Sequence, residues 1–353
     1  MSGDTYPKAR VASVQAAPVF LDREATIEKV ARLTAEAKQG GADLVVFPES
    51  FIPTYPVWCL LLAPIDQHPF FQRLFENSVM VPSPAFSSLQ EIARANDLFL
   101  SIGVTEKSDY SLGAMWNTNI LIDPEGNLVN KHRKIVPTWA EKLVWASGDG
   151  SSLRVDDTAI GRIGALICGE NTNTLARYSL VSQGEQIHIA TYPPCWPIKR
   201  GMNSTGGGYN TADITRIRAA AHCFEGKLFT IASSGVLAQD AIDQLCEGHE
   251  DLRPFLENVT PAASMIVGPD GQLVAGPITE EGIVYADIDI TTEIHLKGVH
   301  DIVGSYQRFD IFQVYINRSV QAPAAFYTNE RIAMAPSAPG KENLPVAAEE
   351  ASD

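Results

Sequence analysis

Paired thiols and clustered histidines are both missing from this chain. Its 353 residues hold five cysteines, an odd number, at Cys59, Cys168, Cys195, Cys223 and Cys246, and no two form a CxxC pair. Neither a disulfide framework nor a thiolate metal site is therefore expected, and each cysteine reads as a free thiol. The seven histidines show no HxxxH or HExxH spacing, so no zinc or other metal is expected. Basic residues are scarce as well: 27 Lys and Arg against 42 Asp and Glu give a formal charge of −15. That balance works against nucleic acid and against anionic membranes as partners, since both need a basic face. No apolar run approaches the ~20 residues of a membrane span, and the opening "MSGDTYPKAR" lacks the apolar centre of a signal peptide. The expected location is the cytoplasm.

What is present is a soluble composition, 45% hydrophobic and 20% charged, long enough for one large domain or two ordinary ones. Strand-like and helical patterns alternate. "RVASVQAAPV" (10–19) reads as a strand. A helix follows it, with Asp22 as N-cap, Ile27, Val30, Ala31, Thr34 and Ala37 on one face, and a close at Gly40 and Gly41. "ADLVVFPE" (42–49) reads as a buried strand, 86–96 as a helix and "LFLSIGVTEK" (98–107) as a further strand. Hairpin turns are expected at "PEGN" and "PDGQ". The strands outnumber what one doubly wound sheet uses, so two packed sheets with helices outside are expected, an α/β class. Residues 1–333 read as one domain. Residues 334–353 lose aromatics, gain Pro, Ala and acids, and read as a solvated tail.

Chemistry is sought where apolar strands end in polar residues. "RIGALICGEN" ends at Cys168, with Gly169 permitting a sharp turn and a helix expected from about Asn173. Such a turn would present a thiol beside backbone N–H groups, although a buried cysteine is equally a small apolar filler. Glu49 ends "LVVFPE", where a carboxylate is either paired or placed at a working mouth. Lys134 ends "NKHRK" and is either a positive charge for catalysis or an ordinary solvated lysine. Glu170 reads as an anchor for the Cys168 turn rather than a further acid, and His132 as a hydrogen-bonding residue. Tyr55, Trp58 and Trp196 read equally as core or as pocket wall.

Together these residues resemble the Glu, Lys and Cys triad of the nitrilase superfamily. "VVFPESFIPTYP" (45–56), "HRKIVPTWAEKLVWASGDGSSL" (132–153), "ALICGENTNTLARYSL" (165–180) and "GSYQRFDIF" (304–312) stand in the order of its nitrilase branch. The resemblance implies a four-layer αββα sandwich and hydrolysis of an organic nitrile to an acid and ammonia through a cysteine thioimidate and thioester. It implies Glu49 as general base, Lys134 as stabiliser of the tetrahedral intermediate, Cys168 as nucleophile and Glu141 as a second glutamate beside the triad. Tyr55, Trp196, Gly169 and Pro193 fall in segments that line the substrate pocket in relatives. No metal or organic cofactor is implied, and the expected assembly is a homodimer or a larger spiral homo-oligomer. The family usually places tryptophan after the nucleophile, where this chain has Gly169, and often histidine and proline where it has Ser305 and Phe309. The missing aromatic wall keeps an aliphatic amidase, or a cyanide hydratase or dihydratase, in view as the alternative on the same site.

Overall fold

The computed structural model describes residues 6–197, 210–324, 326–328 and 331–333. The first half of the chain runs β1 (Lys8–Gln15), α1 (Arg23–Gln39), β2 (Leu44–Val46), α2 (His68–Asn77), α3 (Pro84–Asn96), β3 (Phe99–Lys107), β4 (Met115–Ile122) and β5 (Leu128–Arg133). The second half runs β6 (Asp156–Thr158), β7 (Gly161–Ile167), α4 (Thr174–Val181), β8 (Ile187–Tyr192), α5 (Thr211–Gly226) and β9 (Phe229–Ser234). It continues with α6 (Gln239–Cys246), α7 (Arg253–Leu256), β10 (Ser264–Val267), β11 (Leu273–Ile278), β12 (Gly282–Asp289) and α8 (Thr291–Val299).

The local signals act as expected. The Asp22 carboxylate accepts from the Ala25 N–H and starts α1, while Gly41 at φ +84° turns the chain away from its end. On the helix face, Leu33 takes a buried place that the sequence reading gave to Ala31, which is only half-buried. The "PEGN" and "PDGQ" turns close the β4–β5 and β10–β11 hairpins. The strand expected over 42–49 shrinks to Leu44–Val46, since Pro48 has no N–H to continue a ladder.

Two six-stranded sheets form, in the orders β12-β1-β2-β3-β4-β5 and β11-β10-β9-β8-β7-β6. Each has three parallel central strands, β1-β2-β3 and β7-β8-β9, flanked by antiparallel partners. Alternation along the strands decides the layers. Val11, Leu44, Val46 and Phe99 of one sheet meet Ile187, Ile189, Phe229 and Ile231 of the other in a shared interior. Val14 and Val45 point the opposite way, onto Ile27 and Val30 of α1 and Leu89 of α3. Behind the second sheet, Ala190, Ala232 and Met265 pack on Val181 of α4 and on Ala219 and Cys223 of α5. The result is the expected αββα sandwich. All five cysteines are free and buried.

Residues 1–318 form one compact unit and 319–353 a second, in which β13 (Phe326–Thr328) pairs with β14 (Arg331–Ala333). The segment 334–353 lies outside the described residues.

Candidate active site

Glu49 stands three residues past the end of β2. The turn that carries it presses on β3 at Gly103, where a Cβ would lie 2.2 Å from the Pro48 carbonyl oxygen and 2.5 Å from the Ser50 nitrogen. Only glycine permits that approach. Ser50, at φ +46°, completes the reversal, and its hydroxyl donates to the Thr54 carbonyl. The Glu49 side chain is buried, and its Oε1 accepts from Asn117 Nδ2 at 2.7 Å and from Lys134 Nζ at 2.8 Å. Among the described residues, its Oε2 has no hydrogen-bond partner.

Lys134 follows β5 directly. Its backbone is held by Asn117, whose carbonyl accepts the Lys134 N–H at 2.8 Å, so one residue of β4 fixes both the lysine and the glutamate. The "KHRK" run is consumed by this register. Lys131 and Arg133 pair with Glu106, His132 Nε2 donates to Glu170 Oε2, and Lys134 turns inward. Its Nζ also donates to Glu141 Oε2 at 2.7 Å. Glu141 lies in a short 3-10 turn, Trp139–Leu143, and is completely buried. The Thr138 N–H donates to its Oε2 and the Tyr55 hydroxyl to its Oε1, both at 2.7 Å.

Cys168 follows β7 at φ +48°, in the left-handed region. The sharp turn expected at Gly169 is thus taken by the cysteine itself, a conformation uncommon outside glycine that surrounding bonds must hold. A 3-10 turn, Cys168–Thr172, intervenes before α4, which the Asn173 side chain caps. Gly169 has a different use: a Cβ there would lie 2.8 Å from Thr138 Oγ1. Glu170 anchors the turn, as expected. Its Oε2 accepts from the Ile167 N–H and its Oε1 from the Ile135 N–H, so one carboxylate ties the residue before Cys168 to the residue after Lys134.

These charges set one another. Burial pushes the Glu49 carboxyl up, Lys134 pulls it back, and the balance leaves it at about 7. Burial alone would depress Lys134, but the Glu141 and Glu49 carboxylates outweigh it and hold the ammonium well above its ordinary value. Burial and then the Glu49 charge push the Cys168 thiol up, with Lys134 opposing. The resting sulfur is therefore held as a thiol, within the field of the Glu49 carboxylate. Cys195, also buried and pushed up to about 12, has no such neighbour.

The structure brings Glu49, Lys134, Glu141 and Tyr55 into one bonded cluster, with Cys168 in their field. Tyr55, read equally as core or as pocket wall, is buried, lines a cavity and donates its hydroxyl to Glu141. Trp58 is core, stacked on Phe70. Trp196 is half-buried and packs on the apolar cluster of Tyr55, Trp145 and Cys195, with Pro193 buried nearby in sequence. A cavity reaching Glu49 and Tyr55 is lined by Phe20, Pro194 and Leu237. Asn117 was missed by the sequence reading. Its signal was a polar residue inside a wholly buried strand.

The matches to known proteins follow this geometry. Residues 10–296 match the carbon-nitrogen hydrolase family. The chain is 36% identical over 323 residues to a nitrilase of Bacillus sp. (strain OxB-1), covering 90% of this chain and 91% of that one. It is 34% identical over 317 residues to an aliphatic nitrilase of Rhodococcus rhodochrous, covering 89% and 84%. In fold it resembles a carbon-nitrogen hydrolase from Helicobacter pylori G27, with a TM-score of 0.65 at 19% identity over 83% of this chain and 93% of that one. A buried Glu–Lys–Glu cluster facing a thiol at the strand ends of an αββα sandwich, and a family match across most of its length, make this chain a member of the carbon-nitrogen hydrolase family.

Proposed function

We propose that the protein is a nitrilase, hydrolysing an organic nitrile to the carboxylic acid and ammonia with Cys168 as nucleophile. The observation that carries this reading is Lys134 Nζ, clamped between Glu49 and Glu141 in full burial while Glu49 Oε2 has no hydrogen-bond partner among the described residues. The free oxygen takes the thiol proton as sulfur adds to the nitrile carbon, and returns it to the nitrogen to give a thioimidate. Water, deprotonated by Glu49, then adds to that carbon. The amine leaves as ammonia once protonated, and a second water hydrolyses the thioester, so one nitrile and two waters give one acid and one ammonia. A carboxyl at about 7 suits a group that accepts and donates in turn. Lys134 keeps its proton and acts as fixed charge on the tetrahedral intermediates, while Glu141 aims it. Nitrile rather than amide is favoured by the named nitrilases at 34–36% identity.

The active assembly is a homodimer or larger homo-oligomer. Ile217 and Phe224 on α5 and Leu175 on α4 support this, since they expose apolar surface outside the second sheet. Five free buried thiols support a cytoplasmic location, and among the described residues no helix is long and apolar enough to cross a membrane. The test is acid and ammonia release from aliphatic, aromatic and arylacetonitriles, beside Cys168→Ala. Both products from the wild type alone are expected. Turnover of amides or cyanide with none of nitriles would move the assignment to the alternative, and full activity of Cys168→Ala would end it.

A further inference from the structure

Behind the nucleophile, facing away from the cluster just described, lies a second buried polar network. The Asn171 amide nitrogen donates to two carbonyls, Cys168 at 3.1 Å and Leu166 at 3.2 Å. Those acceptors fix the amide's orientation, so its Oδ1 can only accept. His188 Nε2 lies 2.8 Å from that oxygen and must donate to it. The ring's other nitrogen, Nδ1, lies 2.7 Å from Glu185 Oε1, again an acceptor. With acceptors at both ends, the His188 ring carries both protons and is an imidazolium paired to the Glu185 carboxylate. His222 completes the set, donating from Nε2 to Glu185 Oε2 at 2.8 Å, and Asn171, Glu185, His188 and His222 are all buried.

We propose that this Glu185–His188 ion pair is a positioning device for the nucleophile, holding Cys168 in its left-handed conformation through Asn171. Three observations support it. Cys168 is a non-glycine residue at φ +48°, and such a residue persists only where its neighbours over-determine it. Asn171 is the side chain that grips the Cys168 carbonyl. The pair is also seated against the strand that delivers the cysteine: at Gly164 of β7 a Cβ would lie 2.1 Å from Glu185 Oε1, so glycine there is what lets the carboxylate in. Burial would raise Glu185, yet the His188 and His222 charges bring it down to about 2, while burial and the His188 charge lower His222 to about 4. One positive ring, one carboxylate and one neutral ring follow, a locally balanced set that is fully buried.

The same three side chains have the composition of a metal site, their ligand atoms lying within 4.8 Å of one another. The spacing favours a proton. Ligands about 2.0–2.1 Å from a tetrahedral zinc stand roughly 3.3 Å apart, whereas the contacts here are 2.7 and 2.8 Å.

The inference rests on Cys168 being the nucleophile, and its test separates the two ideas. Nitrogen-15 NMR of labelled wild-type protein should show both His188 nitrogens protonated at pH 7.5, a readout independent of turnover. A neutral His188 ring, or one tightly bound equivalent of zinc found by elemental analysis, would overturn the proposal. Asn171→Ala and His188→Gln should each lower kcat by roughly a hundredfold with KM nearly unchanged, and slow iodoacetamide labelling of Cys168 in step. The double variant should be no worse than either single one, because the two act on one link. Losses that multiply, or an Asn171→Ala enzyme of normal kcat, would refute it. Asn171→Ala removes one acceptor of His188 but leaves the bonds of Glu185 to His188 and to His222 in place, so it keeps the test alive if His188→Gln does not fold. Full turnover by Cys168→Ala would instead remove the nitrilase reading while leaving the NMR result standing.

Discussion

Lys134→Met keeps the length of the side chain and removes its charge from between two buried carboxylates. The ammonium lies 2.8 Å from Glu49 and 2.7 Å from Glu141. Unit charges about 2.8 Å apart attract by roughly 6 kcal/mol at an effective dielectric of 20. Desolvation of the lysine offsets much of this, and deleting one partner of a buried pair costs about 3–5 kcal/mol. The lower end is expected here, because Glu141 keeps its bonds from Tyr55 and Thr138 and Glu49 escapes by taking up a proton. That escape makes the cost depend on pH. Burial raises Glu49 and Lys134 restrains it at about 7. Without the lysine, burial and the Glu141 charge are opposed only by Asn117, and the folded carboxyl titrates higher. A carboxyl whose folded pKa exceeds its unfolded one binds its proton more tightly in the folded state. It therefore weakens folding as pH rises from the unfolded value to the folded one, by at most ~1.4 kcal/mol per pH unit. In the wild type this decline ends near pH 7, and in the variant it continues. Urea denaturation at fixed protein concentration, at pH 6, 7 and 8, should show the stability gap widening above pH 7 by about 1 kcal/mol per unit. Parallel curves for the two proteins above pH 7 would refute the coupling, whatever happened to activity.

Two further outcomes follow from the same geometry. Because Glu49 must be unprotonated to accept the thiol proton, kcat/KM should fall as pH drops below about 7 with a slope of one proton, and a profile flat to pH 5 would remove Glu49 as the base. In Gly169→Ala the new methyl meets Thr138 Oγ1, and Thr138 holds Glu141 through its N–H. Roughly a tenfold loss of kcat/KM is expected, recovered in Gly169→Ala/Thr138→Ala, and an unaltered single variant would show that Thr138 yields freely.

The residues proposed for the chemistry were legible as candidates because each ends or follows a strand, where a charged or thiol side chain conflicts with the apolar run behind it. Glu49, Lys134 and Cys168 all show that conflict, and α1 was legible because Asp22 and Gly41 mark its ends. The left-handed Cys168 was not legible, since its conformation is imposed by Asn171 and Glu170 and not by its own preference. Asn117, Glu185 and His188 were hidden for a related reason. Their partners are brought to them by the order of strands in the sheets, and no local pattern in "MWNTNILI" or "GEQIHIATY" records which strand will lie alongside. Tyr55 read equally as core or as pocket wall because sequence shows a ring but not where its hydroxyl points.

The pairing of β12 with β1 gives chain synthesis a direction. β1 lies far ahead of its outer partner in the chain: all eight of its positions, Lys8 to Gln15, pair on that side with Gly282–Asp289. Until Gly282–Asp289 has been made, that edge carries unsatisfied backbone groups beside Val11 and Val14, a template for another nascent chain. A product truncated before Gly282 would retain Glu49, Lys134, Glu141 and Cys168 and leave the outer edge of β1 open to pairing with another chain. That edge is thus closed by a strand that contributes none of those four residues.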